Sequence, residues 1–476
     1  MEIQASEVEF QSPEATSARQ WLGLAVGSLV LAGLLSLLLV IGRMPPFDAW
    51  ISDPLFFRRC LVVHVDFALV VWFYAFIAGL LSALARRGTS SRVSRVAPFI
   101  SAFGVLLMLL GAGGRGAQPV LANYIAMIDD RAFEAGLVTF GIGVVAGFFD
   151  GRLLPARSPP IGAYFPLPDA AEPGLRAAAI AILLASLTFA ASWLGAPRGL
   201  TSETLFELAN WGGGHVLQLA SACALLSVWL ILVGGVLGRP PVARPVASSL
   251  FAVLVLPWLA APLLAARGIQ DIAARDGFTL LMRWAIFPVI VVFLALIVRA
   301  LWRARSAGEL SGDKLRDPRL LGFAVSASLT LLGFALGALI RGSNTIVPAH
   351  YHASIGAVTA SFMTVTYPLL AHLGYPLKRP RLARVARLQP LVYGLGQLVF
   401  ASGFALAGAH GMARKVYGAE QRGRDFAETL GLVVMGLGGL VAVVAGLSFL
   451  FIVITAWRDG RATHRAAHGS LAGARA

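Results

Sequence analysis

The sequence predicts an all-α protein, a polytopic membrane bundle of twelve transmembrane helices, and three observations carry that prediction. Of 476 residues, 57% are hydrophobic and 13% charged, with 51 glycines and a mean hydropathy of +0.76, which is too apolar for a soluble multidomain chain. Apolar stretches of roughly 17 to 25 residues, long enough to cross the hydrocarbon core as helix, recur near 21-42, 60-84, 97-113, 132-149, 176-194, 206-236, 246-266, 278-301, 320-341, 346-375, 388-409 and 429-456. With the N-terminus inside, 25 of the 39 Lys and Arg residues fall on the inner side, the bias expected of cytoplasmic loops.

In chain order, residues 1-19 read as a polar cytoplasmic tail with Glu2, Glu7, Glu9 and Glu14 and no basic n-region, unlike a cleaved signal peptide. Residues 20-457 form a single membrane domain, and 458-476 an Ala/Arg-rich cytoplasmic tail. The richest basic loops, Arg299 to Arg319 and Lys378 to Arg387, both fall inside, so the expected setting is the cell inner (plasma) membrane with both termini cytoplasmic. The net charge of +15 lies in short loops between spans rather than in a stripe on a soluble domain, so no nucleic-acid partner is expected. Cys60 and Cys223 each sit in an apolar run, which gives no disulfide framework, thiolate metal site or C-x-x-C-H haem attachment.

The chemistry concentrates in histidines. The tenth span opens V-P-A-H-Y-H-A-S-I-G-A-V-T, placing His350 and His352 in an apolar segment where an imidazole needs a partner. Residues i and i+2 of a helix lie about 200° apart, so the two rings face nearly opposite sides and serve separate ligands, or else hydrogen-bond separate neighbouring helices. His64 opens the second span in C-L-V-V-H-V-D-F, and His215 lies in the first half of the sixth in N-W-G-G-G-H-V-L-Q. Even-numbered spans run inward, so all four stand at similar depth in the outer half of the membrane. His372, His464 and His468 read as solvated inner or tail residues, and His410 lies on the outer side.

These features together resemble subunit I, the catalytic subunit of the haem-copper oxidase superfamily, which includes cytochrome c oxidases and nitric oxide reductases. Carrying the resemblance are the second-span histidine, W-x-x-G-H in the sixth, A-H-Y-H-x-x-x-G-A-V in the tenth, and G-x-x-G-M-A-R-K at Gly408 to Lys415. It looks closer to the cbb-type and nitric oxide reductase branches. The resemblance implies two haems: a low-spin haem held by His64 and His352, and a high-spin haem held by His350. It implies that His215 faces the latter as a distal-metal ligand, and that Arg414 and Lys415 serve the propionates, with Arg341, Arg58 and Arg59 as helpers. Two axial imidazoles close an iron for electron transfer, whereas one leaves a position open for chemistry.

Three departures accompany the match. No histidine stands between His215 and His350, and the seventh span reads L-V-L-P-W-L-A-A-P-L-L, so the adjacent pair that completes a distal copper site is missing and copper is doubtful. Neither the sixth nor the seventh span contains the active-site tyrosine of the oxygen-reducing branches; Leu219 stands four residues after His215. No Asp or Glu lies in the inner half of any span, while Asp66, Glu203, Glu207, Asp271 and Asp276 lie outside. Glu207, about one helical turn above His215, is the expected carboxylate at the pocket mouth.

The expected function is therefore a membrane oxidoreductase that passes electrons from an external donor through the low-spin haem to the high-spin haem, where O2 or NO binds, with His350, His215 and Glu207 as its catalytic residues. The donor would be cytochrome c or a cupredoxin or c-type haem subunit, with a small second subunit and membrane lipid as further partners. The alternative is a non-catalytic dihaem protein for gas sensing, electron relay or oxidase assembly. A transporter is disfavoured by the lack of paired broken helices.

Overall fold

The computed structural model describes residues 13–50, 53–83, 91–148, 170–416 and 425–473. Twelve helices follow in order: α1 (Pro13–Ile41), α2 (Pro54–Ala83), α3 (Arg92–Ala112), α4 (Arg131–Ala146), α5 (Glu172–Leu194), α6 (Ser202–Leu237), α7 (Arg244–Ala266), α8 (Ile272–Ser306), α9 (Pro318–Ala338), α10 (Ile346–His372), α11 (Pro380–Ala409) and α12 (Phe426–Gly473). Local chemistry sets many of their starts. Asp53, Ser91, Asp130, Thr201, Asp271 and Asp317 each accept a hydrogen bond from a first-turn amide, the usual role of short polar side chains at a helix entry. Widened π turns interrupt α2 at Asp66–Val71 and α8 at Met282–Ile286.

Consecutive helices pack as hairpins, notably α1 on α2, α3 on α4, α5 on α6, α9 on α10 and α11 on α12. Glycine makes the closest of these seams. A Cβ on Gly136 of α4 would meet the Met108 amide nitrogen of α3 at 2.5 Å and the Gly104 carbonyl at 2.6 Å, and one on Gly431 of α12 would meet the Ala407 nitrogen of α11 at 2.7 Å. Lipid supplies no hydrophobic drive between helices, so backbone approach at small residues is what binds such pairs.

Burial ranks the helices. In their apolar windows α6 is 89% buried, α10 78% and α2 67%, against 33 to 50% for the other helices that meet the length and hydropathy expected of a span. These three central helices are the ones that carry His215, His350 with His352, and His64.

Four expectations change. Among the described residues eleven helices are long and apolar enough to span a membrane, but α4 has only 16 residues, with Gly147 as its C-cap, about 24 Å of rise. Helix α1 begins at Pro13, inside the expected tail: proline is tolerated in a first turn, and Ser17, Ala18 and Trp21 are buried. Residues 1–12 of that tail lie outside the described residues. At the other end α12 runs to Gly473, so most of the Ala/Arg-rich tail is helical, in keeping with the strong helix preference of Ala and Arg. Finally, a short antiparallel hairpin joins α3 to α4, with Gln118–Val120 paired to Met127–Asp129. It packs on the first half of α2 and on α6, and its tip, Leu121 to Ala126, reaches His215 through Tyr124.

The glycine seam predicts a paired result in thermal unfolding. Gly136→Ala should cost about 1–3 kcal/mol by forcing backbones apart, whereas Gly141→Ala on the same helix, with nothing within 4 Å of its new Cβ, should leave the melting temperature unchanged or slightly raised.

Candidate functional site

His350 and His352 turn to different neighbours. His350 faces α9, with Nδ1 2.7 Å from the Gly333 carbonyl oxygen; a Cβ on Gly337 would meet that Nδ1 at 2.9 Å, so the ring needs a glycine beneath it. His352 faces α11, where the Phe400 and Phe404 rings lie 4.6 and 6.1 Å from its centroid. It makes no hydrogen bond among the described residues, and His64 and Arg43 stand within electrostatic reach. His64, on α2 just before the π turn, holds the Ala32 carbonyl of α1 at 2.9 Å through Nδ1.

A carbonyl oxygen only accepts, so Nδ1 of His64 and of His350 must donate. In the neutral ring Nε2 then carries the lone pair, and neither Nε2 has a hydrogen-bond partner among the described residues. Donation of the second ring N–H to a backbone carbonyl is what fixes and strengthens an imidazole that binds a metal through the other nitrogen. By this test His64 and His350 fit axial iron ligands, and His352, walled by aromatic rings and lacking any competing hydrogen bond, fits a partner for His64.

His215 differs. It is 1% exposed, and its Nδ1 donates to the Trp211 carbonyl at 2.7 Å, but its Nε2 lies 2.7 Å from the Tyr124 hydroxyl. Tyr124 comes from the hairpin tip, so although α6 and α7 contain no tyrosine, as their sequences show, a loop supplies one beside His215. The three glycines before His215 each receive an aromatic ring. Phe278 of α8 would lie 2.7 Å from a Cβ on Gly212, Phe189 of α5 occupies the space at Gly213, and Tyr124 that at Gly214. Trp211 packs edge-on to Tyr124 and 4.9 Å from the His215 ring, with the Arg275 guanidinium 5.1 Å from the Trp211 ring.

Glu207 also requires a correction. It stands eight residues before His215, about two helical turns, and it holds the loop rather than the imidazole. Its carboxylate accepts the Asn123 backbone N–H at 2.9 Å and the Asn123 side-chain amide. Loss of hydration, with the Glu207 charge second, raises the Tyr124 phenol above its ordinary value while Arg414 opposes, so the hydroxyl stays protonated. Desolvation, with Arg414 assisting and Glu207 and Glu203 opposing, lowers the Lys415 ammonium.

The basic residues take several positions. A bridge between Asn344 and Ala413 ties the start of α10 to the segment after α11. There the Arg414 Nε donates to the Ser343 hydroxyl at 3.0 Å, and Lys415 adopts a left-handed φ of 68°. Arg341 is exposed and turns back on the Ala338 and Ile340 carbonyls at 2.9 and 3.2 Å. Arg59 has a buried Nε without a hydrogen bond among the described residues. Arg43, which the sequence reading missed, lies 5.7 Å from both the Phe57 and Phe404 rings; its only signal was its place at the outer end of the first span. Asp66 is fully buried on the π turn two residues after His64, with the Ala126 backbone of the hairpin beside its carboxyl.

A distal copper does not fit this donor set. His215 offers no free nitrogen, and among the described residues no three His, Cys, Asp or Glu side chains converge.

Comparison with known proteins agrees with the architecture. No family model matches the chain. An uncharacterized protein of Aquifex aeolicus (strain VF5) is 29% identical over 361 residues, covering 75% of this chain and 85% of its own. An uncharacterized protein of Rickettsia prowazekii (strain Madrid E) is 24% identical over 504 aligned positions, covering 91% and 94%. Among solved structures, a heme-copper terminal oxidase determined as a dimer by cryo-electron microscopy superposes with a TM-score of 0.69 at 16% identity, over 93% of this chain and 84% of that one. The chain thus has the all-α membrane fold of a haem-copper oxidase.

Proposed function

We propose that this protein is a dihaem membrane oxidoreductase, with a low-spin haem between His64 and His352 and a high-spin haem on His350. The observation that carries the reading is the shared preparation of His64 and His350: each gives Nδ1–H to a carbonyl of a neighbouring helix and keeps Nε2 unengaged. Bound haem would supply electron carriage at the first pair and a diatomic-binding position, for O2 or NO, at the second.

The protein's own residues support that use in several ways. Phe400 and Phe404 exclude water around His352, while Gly337 leaves room for the His350 ring. Arg43, Arg59, Arg414 and Lys415 supply positive charge toward one end of the bundle, where the carboxylates of a macrocycle would need it. On that side the Glu207 carboxylate accepts hydrogen bonds from Asn123 and the Tyr124 hydroxyl carries a proton against His215. The basic-loop bias supports an orientation with this end outward and both termini cytoplasmic, in a cell inner membrane. An external cytochrome c, or a cupredoxin or c-type haem subunit, would deliver electrons there.

Two measurements check the reading. Purified protein should contain two haems per chain. His64→Ala should remove the low-spin absorption and leave CO binding, and His350→Ala should do the reverse; a pair of variants that both keep the full spectrum would sink the assignment. For orientation, His410 is exposed after α11 and both native cysteines are buried. His410→Cys should therefore react with an impermeant thiol reagent added to intact cells, and labelling only after lysis would reverse the topology.

A further inference from the structure

We infer that Tyr124 is a positioning residue for His215: a phenol delivered by the α3–α4 hairpin occupies the imidazole nitrogen that a distal metal would require, and fixes the ring as a hydrogen-bond acceptor. The direction of the bond follows from the geometry. The Trp211 carbonyl can only accept, so Nδ1 of His215 is the protonated nitrogen and Nε2 carries the lone pair. The Tyr124 O–H then donates to Nε2 at 2.7 Å. Both nitrogens are satisfied inside the bundle, and a metal would have to break the phenol contact and leave a buried hydroxyl unpaired.

Three independent features show that the contact is built rather than incidental. Gly214 is bare where Tyr124 approaches, and a Cβ there would lie 2.5 Å from the phenol Cγ. Tyr124 adopts a left-handed φ of 70°, a conformation a bulky residue keeps only when its surroundings enforce it. Enforcement comes from the preceding residue, since Glu207 takes both the backbone and the side-chain N–H of Asn123. Glu207 is thus the latch, Asn123 the catch and Tyr124 the finger it holds against His215. The inference rests on the dihaem reading only in treating His215 as part of the ligand-binding side; the contact itself can be tested without haem.

The test is nitrogen-15 magic-angle-spinning NMR of the full chain in lipid with labelled histidine, His215 being assigned by the signal lost in His215→Gln. In the wild type, Nδ1 of His215 should be protonated and Nε2 should resonate as a hydrogen-bonded lone-pair nitrogen. Tyr124→Phe should move that Nε2 signal downfield to the unbonded position, leaving the His64 and His350 signals in place. Gly214→Ala, which keeps the phenol but blocks its approach, should produce the same shift and serves if Tyr124→Phe does not accumulate. Adding one equivalent of Cu(I) to the wild type should leave the His215 signals unmoved. A wild-type Nε2 that is protonated or unbonded, an Nε2 unmoved in a folded variant, or a copper-induced shift would each overturn the assignment. Haem content, read separately by absorption, tests the dihaem reading, so either can fail without the other.

Discussion

An imidazole placed inside a membrane bundle is costly unless its N–H finds an acceptor, and this constraint shapes the surroundings of three of the four histidines at the centre of the protein. His64, His215 and His350 solve it alike, each donating Nδ1–H to a backbone carbonyl: of the adjacent helix for His64 and His350, of its own preceding turn for His215. An unmet donor there would cost about 1–3 kcal/mol, so the carbonyls fix ring orientation as well as tautomer. The helices that carry these rings are also the most buried, which keeps solvent from competing for the same groups. What then separates the rings is only the other nitrogen: unengaged in His64 and His350, taken by a phenol in His215.

That difference comes from a small non-helical piece. The hairpin between α3 and α4 packs against α2 and α6 and gives three consecutive residues of its tip separate tasks. Asn123 is tied to Glu207, Tyr124 to His215, and the Ile125 carbonyl accepts the buried Asn210 amide at 3.5 Å. The Ala126 backbone lies within hydrogen-bonding reach of the Asp66 carboxyl, so the same tip also abuts the buried carboxyl beside His64. One loop therefore links the surroundings of His64 on α2 with those of His215 on α6.

The run of three glycines before His215 gains a physical account in this light. Three aromatic rings, from α5, α8 and the hairpin, converge on one stretch of α6, and only a backbone without side chains lets all three approach. Consecutive glycines in a helix interior cost about 1 kcal/mol each relative to alanine, and the packing of the three rings, complete in burial at Phe278 and partial at Phe189 and Tyr124, works against that cost.

Much was legible from the sequence because bilayer constraints act locally. Span length and the separate neighbours of His350 and His352 follow from helix geometry and solvation, which depend on near neighbours along the chain, and eleven described helices have the length and hydropathy of a span. The short α4 and the helical ends departed from expectation because termini are set by caps and packing, not by hydropathy. The partner of His215 lay beyond reading. Tyr124 is 91 positions away from it, in a stretch with no helical pattern, and its contact depends on a hairpin register, a left-handed backbone and the latch of Glu207 on Asn123. Composition and spacing determined that imidazoles would stand within a bundle of apolar helices; which of them keeps a free nitrogen was decided by tertiary structure, because a hydrogen bond depends on distance in space rather than along the chain.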